Sequence, residues 1–118
     1  MTDDLIELAR RAVWCKSWRW MPGMLCVPGE GMMGVPRRLT DDADWPHDLG
    51  MRFPVLSDPA TLGCLLALVR KAWGDPFLCA VGDPDTGWRI DAVTAQVQDL
   101  HGYASEAEAL VSALERSP

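Results

Sequence analysis

The sequence predicts an α+β domain. Three segments carry the apolar spacing and end signals of helices, and the stretches between them alternate and turn as antiparallel strands do. The predicted order is α-β-β-α-β-β-(β)-α, a largely antiparallel sheet of 4-5 strands packed with three helices. A chain of 118 residues fits a single domain, 1–118.

The first helix starts near Thr2 and repeats apolar residues at Leu5, Leu8, Ala9, Ala12 and Val13. Asp3 and Asp4 in its first turn and Lys16 near its end suit the two poles of the helix dipole. A hairpin follows, with Trp18 to Val27 and Met32 to Leu39 flanking Pro28-Gly29-Glu30-Gly31; Pro22-Gly23 marks a bend in its first strand. Residues 40–57 show no period and read as a long loop. Asp58 caps the second helix and Pro59 fits its first position. Leu62, Leu65, Leu66, Val69 and Trp73 form its stripe, widened by Cys64, Ala67 and Leu68, which predicts burial on more than one side. Gly74 and Asp75-Pro76 end it. Phe77 to Val81 and Trp88 to Val93 flank the turn 82–87 as a second hairpin, and Ala95 to Leu100 adds a further strand. Ser105-Glu106-Ala107-Glu108 is a capping box opening a last helix striped by Ala107, Leu110, Val111 and Leu114.

Apolar residues make up 48% and charged residues 24%, enough apolar surface for a core without a disulfide or metal. The start Met1-Thr2-Asp3-Asp4 has neither a basic nor an apolar leader region, which predicts a cytoplasmic protein. The longest apolar run is about eight residues against the roughly 20 of a membrane span, so no membrane partner is expected. In a reducing compartment Cys15, Cys26, Cys64 and Cys79 are expected as free, buried thiols. Net charge is −6 and uneven: residues 1–40 carry six Lys/Arg against four Asp/Glu, and residues 41–118 five against thirteen. A negative field over two-thirds of the chain disfavours direct nucleic-acid binding and favours a protein partner with a basic surface.

No pattern amounts to a catalytic or metal site, and no cofactor is predicted. The cysteines lack a C-x2-C knuckle, and His47 and His101 lie far from them. Asp41-Asp42-Ala43-Asp44-Trp45-Pro46-His47-Asp48 offers carboxylates and a histidine for a divalent ion or acid–base work, but its spacing matches no Ca2+ loop and a solvated loop explains it equally. Gly29 to Gly34 has the G-x-G-x-x-G spacing without the strand-to-helix setting a phosphate loop needs. The tryptophans are the most unusual feature. Six stand against two Phe and one Tyr, with Trp14, Trp18 and Trp20 beside Arg10, Arg11, Lys16 and Arg19. Trp14, Trp18, Arg19 and Trp20 are the candidate binding residues, because Trp and Arg dominate contact hot spots. Trp as core filler is the competing account. Alternation about Arg19 puts Trp18 and Trp20 on one face.

The stretches Trp18-Arg19-Trp20-Met21-Pro22-Gly23-Met24 and Asp58 to Gly74, with Trp88-Arg89 and Ser105 to Leu110 after them, resemble small proteins encoded by phages and prophages. The C-terminal half is similar to the phage α/β/α sandwich domain family. The likeness covers most of the chain except 37–56, and its motifs are structural. It implies an accessory protein that acts by binding, of the kind that inhibits a host defence complex, as anti-CRISPR proteins do. The alternatives are a metal-dependent enzyme or module built on Asp41 to Asp48, or a structural phage component acting as a homo-oligomer.

Overall fold

The helices form where their ends are signalled. In the computed structural model, which describes residues 2–29, 33–41, 45–94, 97 and 99–118, α1 spans Asp3–Val13, α2 Pro59–Trp73 and α3 Glu106–Glu115. The Leu5 N–H donates to Thr2 Oγ1 (3.3 Å) and the Thr61 N–H to Asp58 Oδ2 (3.0 Å). The Glu108 N–H donates to Ser105 Oγ (3.1 Å), which satisfies a first-turn donor in each helix. The Glu108 carboxylate reaches one residue further back than a capping box expects, to the Ala104 N–H (3.3 Å). Gly74 closes α2 in the left-handed conformation at φ 67°, a turn only glycine makes without strain.

The strands divide between two antiparallel sheets. β1 (Leu25–Pro28) is central in the first, with β2 (Arg37–Arg38) on one side and β3 (Arg52–Pro54) on the other. Leu25 faces Arg38 across one ladder and Val27 faces Phe53 across the other. The second sheet is the hairpin β4 (Cys79–Asp83) and β5 (Gly87–Asp91), in register Ala80 with Ile90 and Gly82 with Trp88. A chain return beyond β5 lengthens this ladder: Trp88 and Tyr103 exchange backbone bonds (2.8 and 3.0 Å), and the Ile90 N–H donates to the Leu100 carbonyl (2.9 Å). The strand expected over Ala95 to Leu100 falls partly on residues outside those described; the pairing begins at Leu100.

Three expectations change. The long strand over Trp18 to Val27 is regular only from Leu25, because the chain turns at Gly23 (φ 97°) beside Pro22. Its partner shrinks to Arg37–Arg38. β3 lies inside the stretch read as a loop; three residues ending in proline are too short to show an alternation. The helix α2, expected to be buried on more than one side, is less enclosed than α3. Gly63 and Ala67 of α2 are exposed, whereas Ala107 and the whole run Ala109 to Leu114 of α3 are buried. Small residues at 107, 109, 112 and 113 let neighbours approach α3 from several sides, and it packs on α1, α2, β4 and β5.

One polar junction ties the first sheet to α2. Asp58 caps α2 and also receives the Thr61 hydroxyl (2.9 Å), whose oxygen accepts the Leu25 N–H (2.9 Å). The Arg38 guanidinium grips both Asp58 oxygens and donates to the Gly23 carbonyl (3.0 Å). This bond, with those from Thr61, holds the Asp58 carboxyl down to about 2. A carboxyl depressed below its unfolded value of about 3.9 adds stability above that pH and loses it as the pH falls toward 2. We expect urea unfolding midpoints of the wild type and Arg38→Gln to differ most above pH 4 and to converge toward pH 2. A constant difference across that range would show that Arg38 acts without charge pairing.

Candidate functional site

The exit of α1 sets the candidate residues apart from one another. Ala12 is fully buried, and Trp14, two places on, is turned about 200° round the helix axis, away from the core. Trp14 caps α1 and its side chain is 83% exposed. Tight turns then fold the chain back, with the Cys15 N–H on the Ala12 carbonyl (3.1 Å) and the Trp18 N–H on the Cys15 carbonyl (3.0 Å). Trp18 swings inward to 7% exposure among the core residues, while Trp20 is half-buried and Arg19 exposed. The two inward rings meet edge to face, centroids 5.4 Å apart at 84°. Trp18 and Trp20 thus share a face as the alternation predicts, without the strand that would have imposed it.

Polar bookkeeping separates the indoles further. Trp73 Nε1 donates to the Ala113 carbonyl (2.8 Å) and Trp45 Nε1 to the Thr40 carbonyl (2.6 Å). Trp18 Nε1 is buried and has no acceptor among the described residues, an arrangement that costs about 1–3 kcal/mol where no water reaches the donor.

Clefts open along this exit. One, of about 420 Å³, runs between Trp14, Trp18 and Trp20 on one wall and Leu49 and Arg52 on the other. A second, of about 390 Å³, lies on the far side of Trp14, between Lys16 and the end of α3. A third, of about 250 Å³, separates Lys16 to Arg19 from the last turns of α2. Trp14 is the ridge between the first two. Arg11 is spoken for: it holds Glu115 through both carboxylate oxygens, bonds that raise its pKa. Arg10 pairs with Glu7 (2.9 Å) and lies over the Phe53 ring, 5.7 Å from its centre.

Among the described residues the other candidates assemble no site. Asp42, Ala43 and Asp44 lie outside the described residues; Asp48 is bound to Arg52 Nε (3.0 Å) and His47 is exposed. Among the described residues no three of His, Cys, Asp and Glu gather as metal ligands. The four cysteines are free, but only Cys26 is buried; Cys15 and Cys64 are half-buried, and partial burial pushes both thiols up. Gly34 leads into β2 rather than a helix. No described helix is long and apolar enough to cross a membrane. Sequence reasoning missed Leu49, Arg52, Leu68 and Lys71, which line the clefts from distant segments and carry no local signal. Comparison with family models, curated proteins and solved structures gives no match to this chain.

Proposed function

We propose that the protein acts by binding another protein, with Trp14 as the anchor of the contact. The observation that carries this is Trp14 itself, an indole 83% exposed on a ridge between two clefts. Covering such a ring contributes about 3 kcal/mol, the scale of a hot-spot residue. Half-buried Trp20 and exposed Arg19 extend the surface, and buried Trp18 supports it from beneath. The finer reading is a phage or prophage accessory protein that occupies a host defence complex in the host cytoplasm. It rests on the resemblance of the Trp18 to Met24 and Asp58 to Gly74 stretches and on charge: residues 41–118, net −8, would meet the basic part of that partner.

The test is capture with tagged protein from host lysate, comparing wild type with Trp14→Ala at matched melting temperature. One enriched complex, depleted about 30-fold by Trp14→Ala, is the expected result, about 2 kcal/mol at one hot spot. Equal capture by the variant, or no capture, overturns the reading. Concentration-dependent sizing that Trp14→Ala abolishes would make the partner a second copy of this chain.

A further inference from the structure

We propose that the third cleft, between residues 16–19 and the last turns of α2, binds the phosphate group of a small phosphorylated molecule. Its lining is Lys16, Ser17, Arg19 and Lys71, with Leu68 and Ala72 as an apolar wall. Three cationic residues and a serine line it, and among the described residues no carboxylate does.

That arrangement is unusual for this chain. Elsewhere Arg10, Arg11, Arg38, Arg52 and Arg89 each hold a carboxylate, in a sequence with 17 Asp and Glu to 11 Lys and Arg. Among the described residues the side-chain ammonium groups of Lys16 and Lys71 make neither an ion pair nor a hydrogen bond. Arg19 spends only Nη1 among the described residues, on the carbonyls of Lys16 (3.3 Å) and Trp18 (2.6 Å). Its Nε and Nη2 are left as a fork for an oxyanion. Helix-dipole compensation accounts for part of this at most. Lys71 lies in the last turn of α2, but Arg70 is there too, and the Gly74 N–H already bonds the Arg70 and Lys71 carbonyls. Lys16 and Arg19 lie beyond the end of α1, where the dipole effect has faded.

Size and chemistry point to the ligand. About 250 Å³ holds a phosphate with a small organic body, which Leu68 and Ala72 would cover. A dianion matches three cations better than a carboxylate does, and Ser17 adds a neutral donor. Lys16, Arg19 and Lys71 are exposed, so binding weakens with salt.

The inference does not depend on Trp14 being a protein contact. The full chain, 15N-labelled at low ionic strength, would be titrated separately with phenyl phosphate, inorganic phosphate and a short single-stranded oligonucleotide. Saturable shifts confined to residues 16–19 and 68–72 are expected with phenyl phosphate, tighter than with inorganic phosphate. Lys71→Gln and Arg19→Gln should each weaken it about tenfold, the worth of one charge-assisted bond. Arg89→Gln, which removes the same charge from the far hairpin, and Trp14→Ala should leave it unchanged. Lys71 is exposed, and Lys and Gln are similar helix formers, so α2 should persist. If its signals move without ligand, Lys16→Gln, outside any helix, replaces it. Non-saturating shifts, equal weakening by Arg89→Gln, equal affinity for the free ion, or preference for the oligonucleotide would each overturn the proposal.

Discussion

Asp75→Asn should destabilise the protein by about 3 kcal/mol, as much as Asp75→Ala to within about 1 kcal/mol. Asp75 is a fully buried carboxylate just after α2. Its Oδ1 accepts the Phe77 N–H (2.9 Å), and its Oδ2 accepts the N–H groups of Val93 (2.7 Å) and Thr94 (2.8 Å). Asparagine has the same shape but only one accepting oxygen. Whichever way the amide is turned, its NH2 meets a backbone donor, so a part-buried N–H loses its acceptor and faces a second donor. Alanine leaves the same donors bare. The side chain joins the exit of α2 to the end of β5, so its loss loosens the hairpin from the helices. Urea unfolding monitored by circular dichroism would measure it. A loss below about 1 kcal/mol for Asp75→Asn would mean that water or a shifted backbone replaces the missing acceptor.

The same residue shows what a sequence reveals. Gly74-Asp75-Pro76 is legible as a helix stop because that information is local, and so are the caps Thr2, Asp58 and Ser105, each of which makes its bond within three residues. The turn before Gly87 is legible for the same reason, and Asp83 Oδ1 tightens it by accepting the Asp85 N–H (2.8 Å). What the carboxylate of Asp75 does 18 residues later is not local, and nothing in the string marks it. β3 was hidden because its partner, β1, supplies the order that three residues cannot signal alone. The wide apolar stripe of α2 predicts burial on more than one side, yet small side chains admit neighbours on more sides of α3, and α3 is the more enclosed of the two. The site divides in the same way. Composition marks residues 14–20 as exceptional; only folding decides that Trp14 faces out, that Trp18 faces in and that Lys71 joins Lys16 and Arg19.

Trp18→Ala should therefore cost about 3–5 kcal/mol, a large part of the roughly 5–15 kcal/mol that holds a domain of this size, while Trp14→Ala should stay within about 0.5 kcal/mol of wild type. The two residues share a chemistry and a segment; they differ in what surrounds them. Removing Trp18 empties a core site and strips Trp20 of its edge-to-face partner. Removing Trp14 takes away a ring that packs on little. Trp18→Phe separates packing from polarity, because it keeps an aromatic ring and deletes the indole N–H that has no acceptor among the described residues. Relief of that orphan donor offsets the lost volume, so Trp18→Phe should cost less than half of what Trp18→Ala costs. Urea midpoints of the three variants would establish the order. If Trp14→Ala proves as damaging as Trp18→Ala, the exposed indole is part of the fold's support and its loss from a captured complex says nothing about contact. If Trp14→Ala is silent and Trp18→Ala is not, function can be probed at position 14 without disturbing the scaffold, and any partner lost there was held by that ring.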